Sequence, residues 1–157
     1  NIMSESLIRA QIKVILSAVS NIGNVYDTKR YYNNQADRLA IMKTTIGGTD
    51  QVRAWMISRE GTPENNQILL GLSAAKGREV IHKYSLEGWI SLKDSSTTEL
   101  TLNALIDIIE TAFADNRTLN STCFYHEGVI VDKIDSVDMT GILCNHCELS
   151  LRVKEFI

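Results

Sequence analysis

The chain has 157 residues, of which 44% are hydrophobic and 22% charged, and its formal net charge is −3. Such a chain fits one domain, residues 1–157, able to bury roughly 68–70% of its unfolded surface, so folding requires neither disulfides nor metal. The slight acidity argues against a generic nucleic-acid-binding domain, which would carry a basic excess, but is compatible with a negatively charged channel through which DNA slides.

The first segment, "SESLIRAQIKVILSAVSNIG", predicts an amphipathic helix with Leu7, Ile8, Ile12, Ile15, Leu16 and Val19 on one face. Ser4 is placed to cap its start and Gly23 to take the left-handed end. "NVYDTKRYYNNQ" reads as a polar, aromatic loop with a short extended piece at Val25–Tyr26. "ADRLAIMK" resembles a short helix, broken at Gly47–Gly48. "QVRAWMISRE" alternates as a strand does, with Val52, Ala54 and Met56 on one side and Arg53, Trp55, Ile57 and Arg59 on the other. Pro63 falls in a polar stretch read as a loop, and "ILLGLS" as a short strand. "REVIHKYSLEGWISL" is a longer strand in which Gly88 marks a bulge.

Next comes "SSTTELTLNALIDIIETAF", with Ser96 and Glu99 spaced as a capping box. Leu102, Leu105, Ile106, Ile109 and Phe113 form its apolar stripe, while Asp107 and Glu110 face water. Two strands, "GVIVDKIDSV" and "GILCNHCELSLRVKEF", close the chain around "DMTG". The order predicts an α+β fold: an antiparallel or mixed sheet with two main helices packed on one face.

The chain carries three cysteines, an odd number, so a full disulfide framework is excluded and a reducing compartment is the simpler reading. Cys123, His126, Cys144 and Cys147 together have the ligand count of a structural zinc site, C-x2-H…C-x2-C. Strand geometry opposes it, because residues three apart point to opposite faces. Cys147 shares its parity with Leu143, Leu149, Leu151 and Val153 and is expected to be a small buried hydrophobe. Cys144 shares its parity with His146, Glu148, Ser150, Arg152 and Lys154 and is expected on the polar face. His82, His126 and His146 lack a nucleophile in a convincing triad, and "TTIGGTD" lacks the Lys of a phosphate loop. The residues therefore present no catalytic set, cofactor site or metal site. No cationic-then-apolar leader is visible, and no apolar run approaches the ~20 residues of a membrane span.

Five stretches taken in order carry a resemblance. They are "GNVYDTKRYY", "VRAWMISRE", "HKYSLEGWISL", the Leu/Ile-rich helix and "GILCNHCELSLRVKEF". In this order they resemble the tail terminator, or tail completion, proteins of long-tailed bacteriophages. Val25, Tyr26, Asp27 and Arg30 match the first motif of that family, and Trp55, Ile57 and Arg59 the second. His82, Gly88 and Trp89 match the third. Leu143, Cys144, His146, Glu148 and Leu149 match the last, in which Asn145 is an insertion. Each motif is short, and the order carries the weight.

The resemblance implies a structural virion protein rather than an enzyme. Its α+β subunits form a ring, typically a hexamer, that caps the tail tube and stops its growth. That ring joins the tail to the head connector and passes DNA through its lumen without sequence-specific binding. The implied partners are other copies of the chain, the tail tube protein and the head–tail connector or neck proteins. The implied place is the virion, after assembly in the host cytoplasm, with no membrane. Related neck proteins at another station have similar size and class. A small cytoplasmic Cys/His metal-binding domain and a bacterial ligand-binding α+β domain are the competing readings. "YDTKRYYNNQADR" is rich in Tyr and Arg, residues enriched at interface anchors, and offers Asp27, Arg30 and Tyr31 as contacts. Arg53, Trp55 and Arg59 share one strand parity and suit an interface too, though Trp55 is equally suited to the core.

Overall fold

A computed structural model describes residues 5–70, 75–91 and 97–156. The elements run α1 (Glu5–Ser17), β1 (Asn24–Tyr26), α2 (Gln35–Met42), β2 (Lys43–Ile46), β3 (Thr49–Leu70), β4 (Ala75–Ser91), α3 (Thr98–Ala114), β5 (Tyr125–Met139) and β6 (Ile142–Phe156). The strands form one mixed sheet in the order β1-β3-β4-β6-β5, with β2 also paired to β3. Only β1 runs parallel to its neighbour, while the other pairings are antiparallel. The fold is α+β.

Alternation along the strands creates two cores, one on each face. Trp55, Ile57, Tyr84, Leu86, Ile90, Cys147, Leu149, Leu151 and Val153 point to the face covered by α1 and α3. There α1 contributes Ile8, Ile12, Ile15 and Leu16, and α3 contributes Leu102, Leu105, Ile106, Ile109 and Phe113. Each such side chain, once buried, contributes about 1.5–3 kcal/mol. The smaller second core lies on the opposite face, where Met42 packs with Val52, Ala54, Met56, Met139 and Cys144. Met42 and the partly buried Leu39 and Ile41 come from α2.

Several expectations change. Leu7 is 49% exposed, because it lies one position off the Ile8–Ile12–Ile15 stripe. Ser4 and Ser96 lie outside the described residues, and the N-cap of α3 falls on Thr97, so Glu99 occupies the second helical position. Gly47 and Gly48, both at positive φ, join β2 and β3 as a hairpin rather than interrupting a helix. Pro63 lies within β3, beside a register shift between Glu60 and Glu64 that absorbs it, instead of in a loop. Residues 68–70 continue that same strand, and the rest of "ILLGLS" lies outside the described residues.

Gly88 marks no bulge: it pairs with Trp55 in unbroken register. Its reason is steric, because a Cβ there would sit 2.6 Å from the Trp55 ring. Gly23 has a similar cause, at φ +88° with the Arg53 carbonyl 2.2 Å from where a Cβ would stand. Thr140 and Gly141 both take positive φ at the β5–β6 turn, as a tight hairpin of primed type demands.

Candidate functional site

The Tyr- and Arg-rich stretch is held at both ends and exposed between. At its entry, Tyr26 Oη donates to the Ile41 carbonyl at 2.8 Å, and Asn24 Nδ2 donates to the carbonyls of Ile41 and Lys43 at 3.1 and 2.8 Å. Arg9 of α1 donates to the Asp27 carbonyl at 2.9 Å, and Lys13 lies 3.8 Å from the Asp27 carboxylate. At its exit Asn34 caps α2, accepting from the Asp37 N–H at 2.9 Å. Between these anchors the Arg30 guanidinium rests 5.0 Å from the Tyr26 ring, and Arg38 pairs likewise with Tyr32 at 5.1 Å. Tyr31 is 88% exposed. A depression of about 270 Å³ lies beside the stretch, bordered by Lys29, Tyr31, Met56, Glu87 and Trp89.

The structure brings Asp27, Arg30 and Tyr31 together on this surface, with Asp27 half-buried. Two other expected contacts are corrected. Trp55 is wholly buried, its Nε1 donating to the Ile22 carbonyl at 3.1 Å. Arg53 is 6% exposed and donates to the Asn21 carbonyl at 2.8 Å and to Gln51 at 3.0 Å. Both side chains fasten the α1–β1 connection to the sheet, so neither reaches a partner. Arg59 is exposed, farther along β3.

The four Cys and His residues do not converge. Cys147 belongs to the core under α1 and α3, Cys144 to the core on the opposite face, and Cys123 packs beside the first. Cys144 is therefore not on a polar face, because Met42 of α2 and Met139 of β5 cover its side of the sheet. Burial pushes all three thiols up, Cys147 to about 12 and Cys123 and Cys144 to about 11. His126 is fully buried, with Nε2 2.9 Å from the Asn116 carbonyl and Nδ1 3.1 Å from the Gly128 N–H. That arrangement holds a neutral ring that donates at Nε2 and accepts at Nδ1, and burial lowers its pKa. His82 bonds the Glu155 carboxylate through Nε2 at 2.7 Å.

Where α2 ends its cover, the second face becomes a mat of charges. Glu64 bonds Lys83 at 2.6 Å and Arg152 at 3.2 Å, Lys154 bonds Glu127 at 2.9 Å, and Lys133 bonds Asp135 at 2.7 Å. His146 sits among them and is 6% exposed. Its Nδ1 lies 2.7 Å from Asp135, its Nε2 3.6 Å from Glu87, and its ring centroid 5.3 Å from that of Trp89. Glu87, and then Asp135, hold this imidazole above its usual pKa, and it in turn lowers that of Glu87. Sequence parity places His146 with Glu148 on one face of β6. Only the register brings Glu87 opposite Glu148, and Asp135 opposite His146.

No protein-family model matches the chain, and no curated protein is similar to it in sequence. Among the described residues, no helix is long and apolar enough to cross a membrane. The fold is that of an α+β sheet protein, and it carries an exposed aromatic–arginine stretch between β1 and α2.

Proposed function

We propose that the chain is a structural virion protein of a long-tailed bacteriophage, a tail terminator whose copies close into a ring. That ring, typically a hexamer, caps the tail tube, stops its growth and presents a face to the head connector, with DNA passing through its lumen. The family resemblance motivates the reading, and one structural observation supports it: among the described residues, the sheet has two long unpartnered edges. β5 ends the strand order, 15 residues long, with Ile130, Val131 and Ile134 exposed along it. On the other side, among the described residues, β3 has no neighbour beyond Met56. The β3–β4 hairpin also runs on, from Gln67↔Arg78 to Leu70↔Ala75, past the last β6 partner at Glu79↔Phe156.

An open, apolar edge is a template for another chain. Two different edges on one subunit make a head-to-tail contact, which closes into a ring when the rotation per subunit completes a circle. Native mass spectrometry of the purified protein, alone and with its tail tube protein, tests this. The reading expects a closed ring of defined number. A protein that stays monomeric in both samples, and whose loss leaves tail length unchanged, refutes it.

A further inference from the structure

We propose that Glu87, His146 and Glu148 form a divalent transition-metal site on the open part of the second sheet face, with Asp135 as the orienting carboxylate behind the histidine. One ligand atom from each of the three lies within 4.8 Å of the other two. The sheet register enforces this, since Glu87 on β4 faces Glu148 on β6, and His146 precedes Glu148 by one full strand period.

Nε2 of the nine-tenths-buried His146 imidazole stands 3.6 Å from Glu87 Oε2, beyond an ordinary hydrogen bond. Two ligand atoms sharing a tetrahedral ion at ~2.0–2.1 Å stand about 3.3 Å apart, so the gap is close to that of a ligand pair. The other ring nitrogen, 2.7 Å from Asp135, supplies the carboxylate–histidine–metal arrangement that fixes ring orientation at metal centres.

The cations facing the group are already engaged. Lys133 is bonded to Asp135 at 2.7 Å, and Lys29 lies 3.9 Å from Glu87 across the depression. Glu148 is half-buried and stands opposite Lys133, whose ammonium is bonded to Asp135 and held above its usual pKa by Asp135 and, less, by Glu148. One imidazole and carboxylate oxygens suit zinc or manganese. The three ligands come from one sheet face, which leaves a coordination position open toward solvent for water or a donor from another chain.

The probe is Zn²⁺ added to the full chain after chelator treatment, followed by calorimetric titration, with Mn²⁺ as the comparison ion. The site predicts saturable binding of one ion per chain and a higher unfolding temperature when it is filled. Asp135→Asn should weaken binding about 10–100-fold, the usual effect of losing an orienting carboxylate. Glu148→Gln should weaken it at least as much, without disturbing the His146–Asp135 bond. A Cys123→Ala control should bind as the parent does. Absence of saturable binding overturns the proposal. So does binding that Glu148→Gln and Asp135→Asn leave unchanged, or binding that Cys123→Ala abolishes.

Discussion

Gly88 and Trp55 show how one residue fixes another. The indole is buried only because the facing strand offers no side chain at Gly88, and a Cβ there would meet three ring atoms within 2.7 Å. Gly88→Ala is expected to cost about 1–3 kcal/mol through overpacking. At ~2–4 °C per kcal/mol for a chain of this size, thermal unfolding should show the loss. An unchanged midpoint would mean that the ring moves aside freely.

His126 and His146 pull in opposite directions. His126 has a lowered pKa, so as pH falls through ~6.5 the unfolded chain gains a proton that the folded one resists, and stability drops. His146 has a raised pKa, so its contribution is full below ~6.5 and is lost as pH rises through the folded value. Removing His146 should leave the His126 effect without this opposing contribution. Urea unfolding in chelator, between about pH 7.5 and about pH 5, should therefore show a steeper acid loss in His146→Gln than in the parent. Parallel pH profiles for the two proteins would contradict this assignment of signs.

Element by element, α3 followed its apolar spacing most closely. Leu102, Leu105, Ile106, Ile109 and Phe113 are all buried, whereas Ile108, one step off the stripe, is 48% exposed. Leu105→Ala and Ile109→Ala should each cost ~2–5 kcal/mol, and Ile108→Ala no more than about 0.5 kcal/mol. Chemical denaturation separates these cases, and equal losses at all three positions would show that the helix face is misassigned. The strands were legible in kind but less so in extent. Pro63 and the polar residues around it suggested a loop, yet β3 passes through them, because the shift between Glu60 and Glu64 lets the hairpin resume its ladder. Cys144 misled for a different reason. Its strand neighbours of like parity are polar, and only α2, folded over that end of the sheet, converts the position into core.

On the scale of the whole molecule, the proposed assembly makes a different demand from stability. Arg30 is exposed, its guanidinium resting on the Tyr26 ring at the surface, and Ile130 lies exposed on the edge strand. Arg30→Glu and Ile130→Lys should leave the monomer folded. The first opposes charges across a contact, and the second places a lysine where edge pairing would occur. Both are expected to lower ring yield in native mass spectrometry and to alter tail length in electron micrographs. Normal rings and tails from both variants would remove these two surfaces from the assembly.

Sequence by itself determined the α+β class, the two long helices and the face each buries, because apolar periods of 3.6 and 2 are local properties of the chain. It also separated Cys144 from Cys147, since a strand points residues three apart in opposite directions. Tertiary structure alone decided that Trp55 and Arg53 belong to the interior and that the second face of the sheet is half core and half charge. It also brought Glu87 to His146 and Glu148. Each of these depends on which strands become neighbours and in what register, and that is set by long-range pairing and by where α2 comes to rest, neither of which leaves a periodic trace in the residues concerned.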